Sequence, residues 1–368
     1  MSIFDTISKP TLLLDEAAAR ANIQRMASKA RAAGVTFRPH FKTHQSSEIG
    51  EWFRQEGVQA ITVSSLDMAE YFAAAGWDDI TLALSANIRQ IAQMDELAQR
   101  VRLGLLVESR ETVATLAAGL RHPVDLWIKI DTGTGRTGSA WDQPAAAIAI
   151  AEQIAASPLL RLRGLLTHAG NTYAAPNPTA AAATFITSTE RINHTRAALH
   201  AAGLGPLLVS VGDTPGCSAL ERFDGVDEIR PGNFVFYDAQ QYQAGACAFE
   251  DVAVALACPV IALHPERGEA VLYGGAVHLS KDTFAWQDGR AYALVALPAG
   301  QRWGAPLPNC ALTRLSQEHG ILSLPPDQLA ALHVGDLVCL IPAHSCLTAQ
   351  VMGRYQTLDG RWIEMMRA

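Results

Sequence analysis

Val101-Arg102-Leu103-Gly104-Leu105-Leu106-Val107 is a short apolar run, followed by the helix-like Arg110–Gly119 and then by a second apolar run, Val124-Asp125-Leu126-Trp127-Ile128-Lys129-Ile130. Strand, helix, strand in that spacing is a right-handed βαβ unit, and it implies two parallel strands. The same alternation extends both ways. Upstream lie Thr11–Leu14 with a helix over 16–33, 35–42 with a helix from Ser46, 60–64 with 67–75, and 80–84 with 88–98. Downstream lie a helix over 145–156, a strand at 160–166, a long helix over 180–202, a strand at 207–211, a short helix near 216–222, and 228–236 closing the series. About eight such units match a (β/α)8 barrel better than a doubly wound sheet. A flavodoxin-like open sheet is the runner-up. No GxGxxG follows the first strand, so a dinucleotide site is not supported.

After Asp238 the texture changes. Residues 252–263, 270–273, 291–297, 338–341 and 349–355 read as strands, Gly and Pro punctuate the intervals, and helical runs nearly vanish. The expectation is α/β: a TIM-like (β/α)8 barrel over 1–240 and an all-β domain over 241–368. A chain of 368 residues with 49% apolar and 18% charged residues is globular. A net charge of −7 argues against nucleic acid as the main partner. No window has the apolar length of a membrane span, and the N-terminus lacks the pattern of a signal peptide. The six cysteines are scattered without a CxxC pair, as in reduced cytoplasmic proteins.

In a barrel the chemistry sits where the strands end. Arg38-Pro39-His40-Phe41-Lys42-Thr43-His44 follows one strand. Burial and neighbouring positive charge would favour a neutral Lys42 amine, able to attack a carbonyl or hold an aldehyde; a solvated basic turn is the alternative. Asp131-Thr132-Gly133-Thr134-Gly135-Arg136-Thr137-Gly138 offers close backbone approach and the Arg136 guanidinium, or is simply a flexible turn. His168 and Tyr173 follow another strand and could stack or donate. Ser210-Val211-Gly212-Asp213-Thr214 and Pro231-Gly232-Asn233 have the character of an anion cradle. In the second domain, Ser316-Gln317-Glu318-His319-Gly320 stands out beside Pro342-Ala343-His344-Ser345-Cys346. On an extended backbone His344 and Cys346 would point to one side and suit two ligands of a single metal, with imidazole and thiolate favouring Zn2+.

Taken in order, these motifs resemble the D-serine dehydratase and D-threonine aldolase family, of the alanine-racemase-like fold type that uses pyridoxal phosphate. The resemblance covers about residues 8 to 360. It implies a barrel holding pyridoxal phosphate, a C-terminal β domain that the first residues of the chain could join, and a homodimer. Lys42 matches the family's Schiff-base lysine. His40, Arg136, His168, Tyr173, Ser210, Gly212, Thr214, Gly232 and Asn233 match or flank its cofactor contacts, and His344 and Cys346 its metal pair. Dehydratases of the family carry His and Cys there with zinc, whereas the aldolases usually carry His and Asp with Mn2+ or a similar ion. Cys346 therefore points to β-elimination from a D-β-hydroxy amino acid. Aldol cleavage to glycine and an aldehyde, a 3-hydroxyaspartate substrate, and a non-catalytic pyridoxal phosphate carrier are the alternatives. Two positions depart from the family: Gln45 stands where lysine is common, and Asp213 puts a carboxylate in the cradle, where it would repel phosphate unless turned away.

Overall fold

The computed structural model describes residues 2–366. The chain divides into two compact units, one comprising residues up to Ile23, Thr43–Ile49 and the chain from Asn233, the other Gln24–Lys42 and Gly50–Gly232.

The second of these is a parallel barrel. Its eight strands run, in spatial order, Thr36–Phe37, Glu228–Ile229, Leu208–Gly212, Leu160–His168, Val124–Asp131, Arg102–Val107, Asp79–Ser85 and Ile61–Val63. A bridge between His40 and Thr62 closes the ring. Thr62 N donates to the Pro39 carbonyl and Phe41 N to the Thr62 carbonyl, both at 2.9 Å. The strands are largely apolar, and Val124–Ile130 is buried throughout, as parallel strands under helices must be. Two strands are shorter than the sequence suggests. Pro39 and Pro231 lack the N–H that would continue a ladder, so 35–42 shrinks to a two-residue strand and 228–236 passes into a 3-10 turn at Asn233–Val235.

The other unit is built on an antiparallel sheet. Glu269–Tyr273, His319–Ser323, Ala311–Leu315, Ala293–Ala296, Leu337–Pro342 and Val254–His264 are neighbours in that order, and Val254–His264 pairs again with Glu269–Tyr273 to close the ring. Thr11–Leu14 belongs here and not to the barrel. It runs antiparallel to Val254–Ala257 and parallel to Gln356 and Thr357, and Trp362–Glu364 completes the edge.

The expected strand at 349–355 is corrected. Ser345–Met352 is an α-helix that ends at Gly353, whose φ of 70° is the left-handed conformation glycine adopts freely, and the strand is Arg354–Thr357. Ser345, Cys346, Thr348 and Ala349 are its buried residues, a helical period that overrides the strand-like composition. Further short helices at Ala239–Gln243, Ala276–Leu279 and Pro326–Ala330 were likewise not legible. No helix among the described residues is long and apolar enough to cross a membrane.

Candidate active site

Within the barrel unit, the sequence-selected residues gather at the C-terminal ends of the strands, where residue ends and loops converge. His168 ends one strand and Gly212 the next; Lys42 and Gly232 follow two others. The His168 ring donates through Nδ1 to the Gly212 carbonyl at 2.6 Å. Burial, aided by the positive charges of Lys42, Arg136 and Lys129, pulls its pKa down to about 3. The ring is therefore neutral, and with Nδ1 donating, Nε2 is an acceptor.

Tyr173, on the 3-10 turn Gly170–Ala174, is 40% exposed and offers its hydroxyl 3.3 Å from the amide of Thr214, which donates to it. A side-chain hydroxyl and the amide that opens the short helix Thr214–Ala219 are donors of the kind a phosphate monoester accepts from. Gly212 has to be glycine: a Cβ there would lie 2.8 Å from the Arg230 Cβ. Asp213 does not oppose the cradle. Its carboxylate turns inward, accepting from Thr172 Oγ1 at 2.8 Å and Gly216 N at 2.6 Å, and burial lifts its pKa to about 7.

Three expectations about this unit change. Lys42 is exposed in a turn, where burial was expected. Arg38 is buried and bound to Glu228 at 2.6 Å and Asp79 at 2.6 Å. His44 is held neutral by burial, its pKa lowered to about 3. His40 accepts the Lys42 amide on Nδ1 at 3.4 Å, a contact at the turn's entrance. Ser210 is no part of the cradle: its hydroxyl donates to Glu228 at 2.7 Å and accepts from Arg230 at 2.7 Å, inside a buried polar network. The loop at 131–138 is not a loose turn. The Asp131 carboxylate gathers the amides of Gly133, Thr134 and Gly135, leaving Arg136 exposed at the tip. Lys129 was missed. It is buried one strand residue before Ile130, and burial, with Arg230 and Arg136, lowers its pKa to about 7.

Within the antiparallel unit, His344 and Cys346 converge, though not by the extended backbone expected of them. His344 is the extended N-cap residue and Cys346 the second residue of the helix Ser345–Met352. Burial opposes charge on His344, yet the Cys346 sulfur, which hydrogen-bonds it, and Asp282 hold its pKa up at about 11. Asp282 Oδ2 lies 2.7 Å from His344 Nδ1. That bond occupies Nδ1 and leaves Nε2 as the nitrogen that can bind a metal. Among the described residues no group of three or more His, Cys, Asp or Glu could hold an ion. One imidazole and one sulfur would make a two-ligand set, which would suit a metal whose remaining positions stay open to water or substrate.

Asn233 faces this pair. Its amide nitrogen donates to Asp238 at 2.6 Å and to Ser345 Oγ at 3.0 Å, and lies 3.7 Å from Cys346 Sγ. Asp238 in turn accepts the Ser345 amide at 3.0 Å. The Asn233 side chain therefore braces the helix that carries Cys346. Asp282 was not legible in the sequence, because it lies 62 residues from His344 and in no motif of its own; Asp238 closes the motif that begins at Pro231, but its bond to the Ser345 amide, 107 residues away, was not legible.

The family described as alanine racemase, N-terminal domain, matches residues 14–240, and a serine dehydratase domain matches 253–358. D-threo-3-hydroxyaspartate dehydratase of Delftia sp. is 35% identical over 366 residues, covering 96% of this chain and 94% of that one. D-serine dehydratase of Dictyostelium discoideum is 26% identical over 380 residues, with 96% and 94% covered. The solved structure of the Delftia enzyme superposes with a TM-score of 0.91 at 33% identity over the whole of both chains. Structures of that enzyme also include a histidine-to-alanine mutant and a cysteine-to-alanine mutant, the latter in a metal-free form, and the two mutated positions are two residues apart, as His344 and Cys346 are here. Dehydratases and aldolases alike are among the relatives, and pyridoxal phosphate is typical of them. The chain belongs to the alanine racemase N-terminal-domain family, in the group whose barrel is joined to a serine dehydratase domain and whose members are lyases of D-β-hydroxy amino acids.

Proposed function

We propose that the protein is a pyridoxal phosphate- and metal-dependent dehydratase that eliminates water from a D-β-hydroxy amino acid, the enamine product then hydrolysing to a 2-oxo acid and ammonia. D-Serine and D-3-hydroxyaspartate are the substrates nearest to its relatives. When bound, pyridoxal phosphate supplies an electron sink for charge at Cα, and a divalent metal supplies Lewis acidity for a poor hydroxyl leaving group. Lys42 Nζ is the amine that would anchor the cofactor aldehyde and, once freed by the substrate amine, take the Cα proton. The Tyr173 hydroxyl and Thr214 amide would bind the phosphate. The neutral His168 ring presents an acceptor without adding positive charge beside Lys42.

His344 Nε2 and Cys346 Sγ would hold the metal, for which imidazole plus thiolate favours Zn2+. The observation that supports this reading is the Asp282–His344 bond, which occupies Nδ1 and leaves Nε2 as the nitrogen that would share a metal with Cys346 Sγ. The cysteine, in place of a carboxylate, supports elimination over aldol cleavage. A cytoplasmic homodimer belongs to the same reading, and six cysteines outside any disulfide fit a reducing compartment.

The test is a panel of D- and L-β-hydroxy amino acids, with 2-oxo acid and aldehyde both measured. Elimination predicts a 2-oxo acid and ammonia from the D-isomers only. Glycine and an aldehyde as the main products would assign the protein to the aldolases instead.

A further inference from the structure

Thr43, the residue that follows Lys42 in the chain, is fully buried, and its hydroxyl lies 3.1 Å from Cys346 Sγ. Its neighbours are fixed to the same unit. Tyr355 donates to the His44 carbonyl at 2.9 Å, the Gln45 side chain bonds Gln350 at 2.5 Å, and Met366 N donates to the Gln45 carbonyl at 2.6 Å. Gln45 is held at a φ of 47°, a left-handed conformation that a non-glycine residue keeps only when its surroundings enforce it. The threonine hydroxyl is thus held against the sulfur by a rigid turn.

Either atom of the Thr43–Cys346 contact could donate when the sulfur carries a proton. A cysteine that ligates a metal does so as thiolate and has no proton to give. In that state only the threonine hydroxyl can donate. Asn233 adds a weaker N–H contact to the same sulfur at 3.7 Å. Hydrogen bonds to a metal-bound thiolate draw charge away from the metal–sulfur bond, which leaves the metal a stronger Lewis acid toward its open positions.

We infer that Thr43 is a positioning residue of the metal site, donating a hydrogen bond to the Cys346 thiolate and so raising the metal's pull on the substrate's β-oxygen. The inference rests on the assignment of His344 and Cys346 as metal ligands.

The experiment loads cofactor-replete protein with Co2+ and records the sulfur-to-cobalt charge-transfer band as a difference spectrum against the metal-free form. Wild type, Thr43→Val, Thr43→Ala and Thr43→Ser are compared. Loss of the hydrogen bond raises the energy of the sulfur electrons, so the band moves to lower energy in the Val and Ala variants and returns to its wild-type position in Thr43→Ser. In parallel kcat falls about tenfold in the Val and Ala variants with KM little changed, the size usual for an outer partner of a metal ligand. A band at the wild-type energy in whichever of the Val and Ala variants folds and binds Co2+ overturns the inference. Absence of any charge-transfer band in the wild type would instead overturn the assignment of Cys346 as a ligand.

Discussion

Two carboxylates act at the residue scale in opposite senses. Asp213 Oδ2 is buried with no hydrogen-bond partner among the described residues, which is why the folded state favours the protonated acid. Its pKa rises from 3.8 to about 7 on folding. Between those values the folded protein binds a proton that the unfolded chain has released, so this group's contribution to stability falls as pH rises through the window and is flat above it. Asp213→Asn, which keeps an acceptor for Thr172 and Gly216, is expected to remove that slope. Urea unfolding of cofactor-free wild type and variant at pH 4.5 and pH 7.5 checks it: the wild type should lose stability relative to the variant at the higher pH.

Asp282 has the converse role, accepting from His344. Asp282→Asn is expected to leave the fold intact and weaken metal binding about 10- to 100-fold, measured by competition with a chromophoric chelator. Lys42, His168, Tyr173 and the His344–Cys346 pair could be singled out because each lies in a short motif at a strand or helix end. Lys129 and Asp282 could not, since a lysine inside an apolar strand and a carboxylate far along the chain gain their meaning only from what folding brings beside them.

At the scale of elements, legibility followed periodicity. The barrel's strands and helices alternate so regularly that their identity was plain, and most boundaries fell within a residue or two, as for Arg110–Gly119. It failed where a proline cut a ladder short and where a short helix was composed of strand-like residues, as in Ser345–Met352. The helix is held by contacts its own sequence does not declare, such as the Thr348 hydroxyl donating to the Leu279 carbonyl at 2.7 Å. One strand carries a steric constraint of its own. Gly164 in Leu160–His168 pairs with both Trp127 and Leu208, and a Cβ there would sit 2.0 Å from the Leu208 carbonyl oxygen. Because that atom is backbone, it cannot yield without parting the two strands. Gly164→Ala should cost about 3 kcal/mol, read from the midpoint of chemical denaturation; an unchanged midpoint would mean that the two strands are not in this register.

On the scale of the whole molecule, the proposed function divides the chemistry between two units. The barrel would contribute the Lys42 amine, the neutral His168 ring and the phosphate donors; the antiparallel unit would contribute the His344 imidazole and the Cys346 sulfur. The sequence changes from alternating to strand-only texture near residue 240, and the antiparallel unit takes up the chain from Asn233. That Thr11–Leu14 would join the later strands was beyond periodicity, because an apolar tetrapeptide reads alike in either sheet. The central claim is that the amine and the metal do separate jobs on one substrate. Its most direct test is turnover of D-serine and D-3-hydroxyaspartate by cofactor-loaded protein before chelation, after chelation to metal-free protein, and after Zn2+ is restored. The predicted result is that 2-oxo acid formation disappears with the metal while the visible absorbance of bound pyridoxal phosphate stays, and that it returns with Zn2+. Undiminished 2-oxo acid formation by protein verified to be free of metal would contradict it.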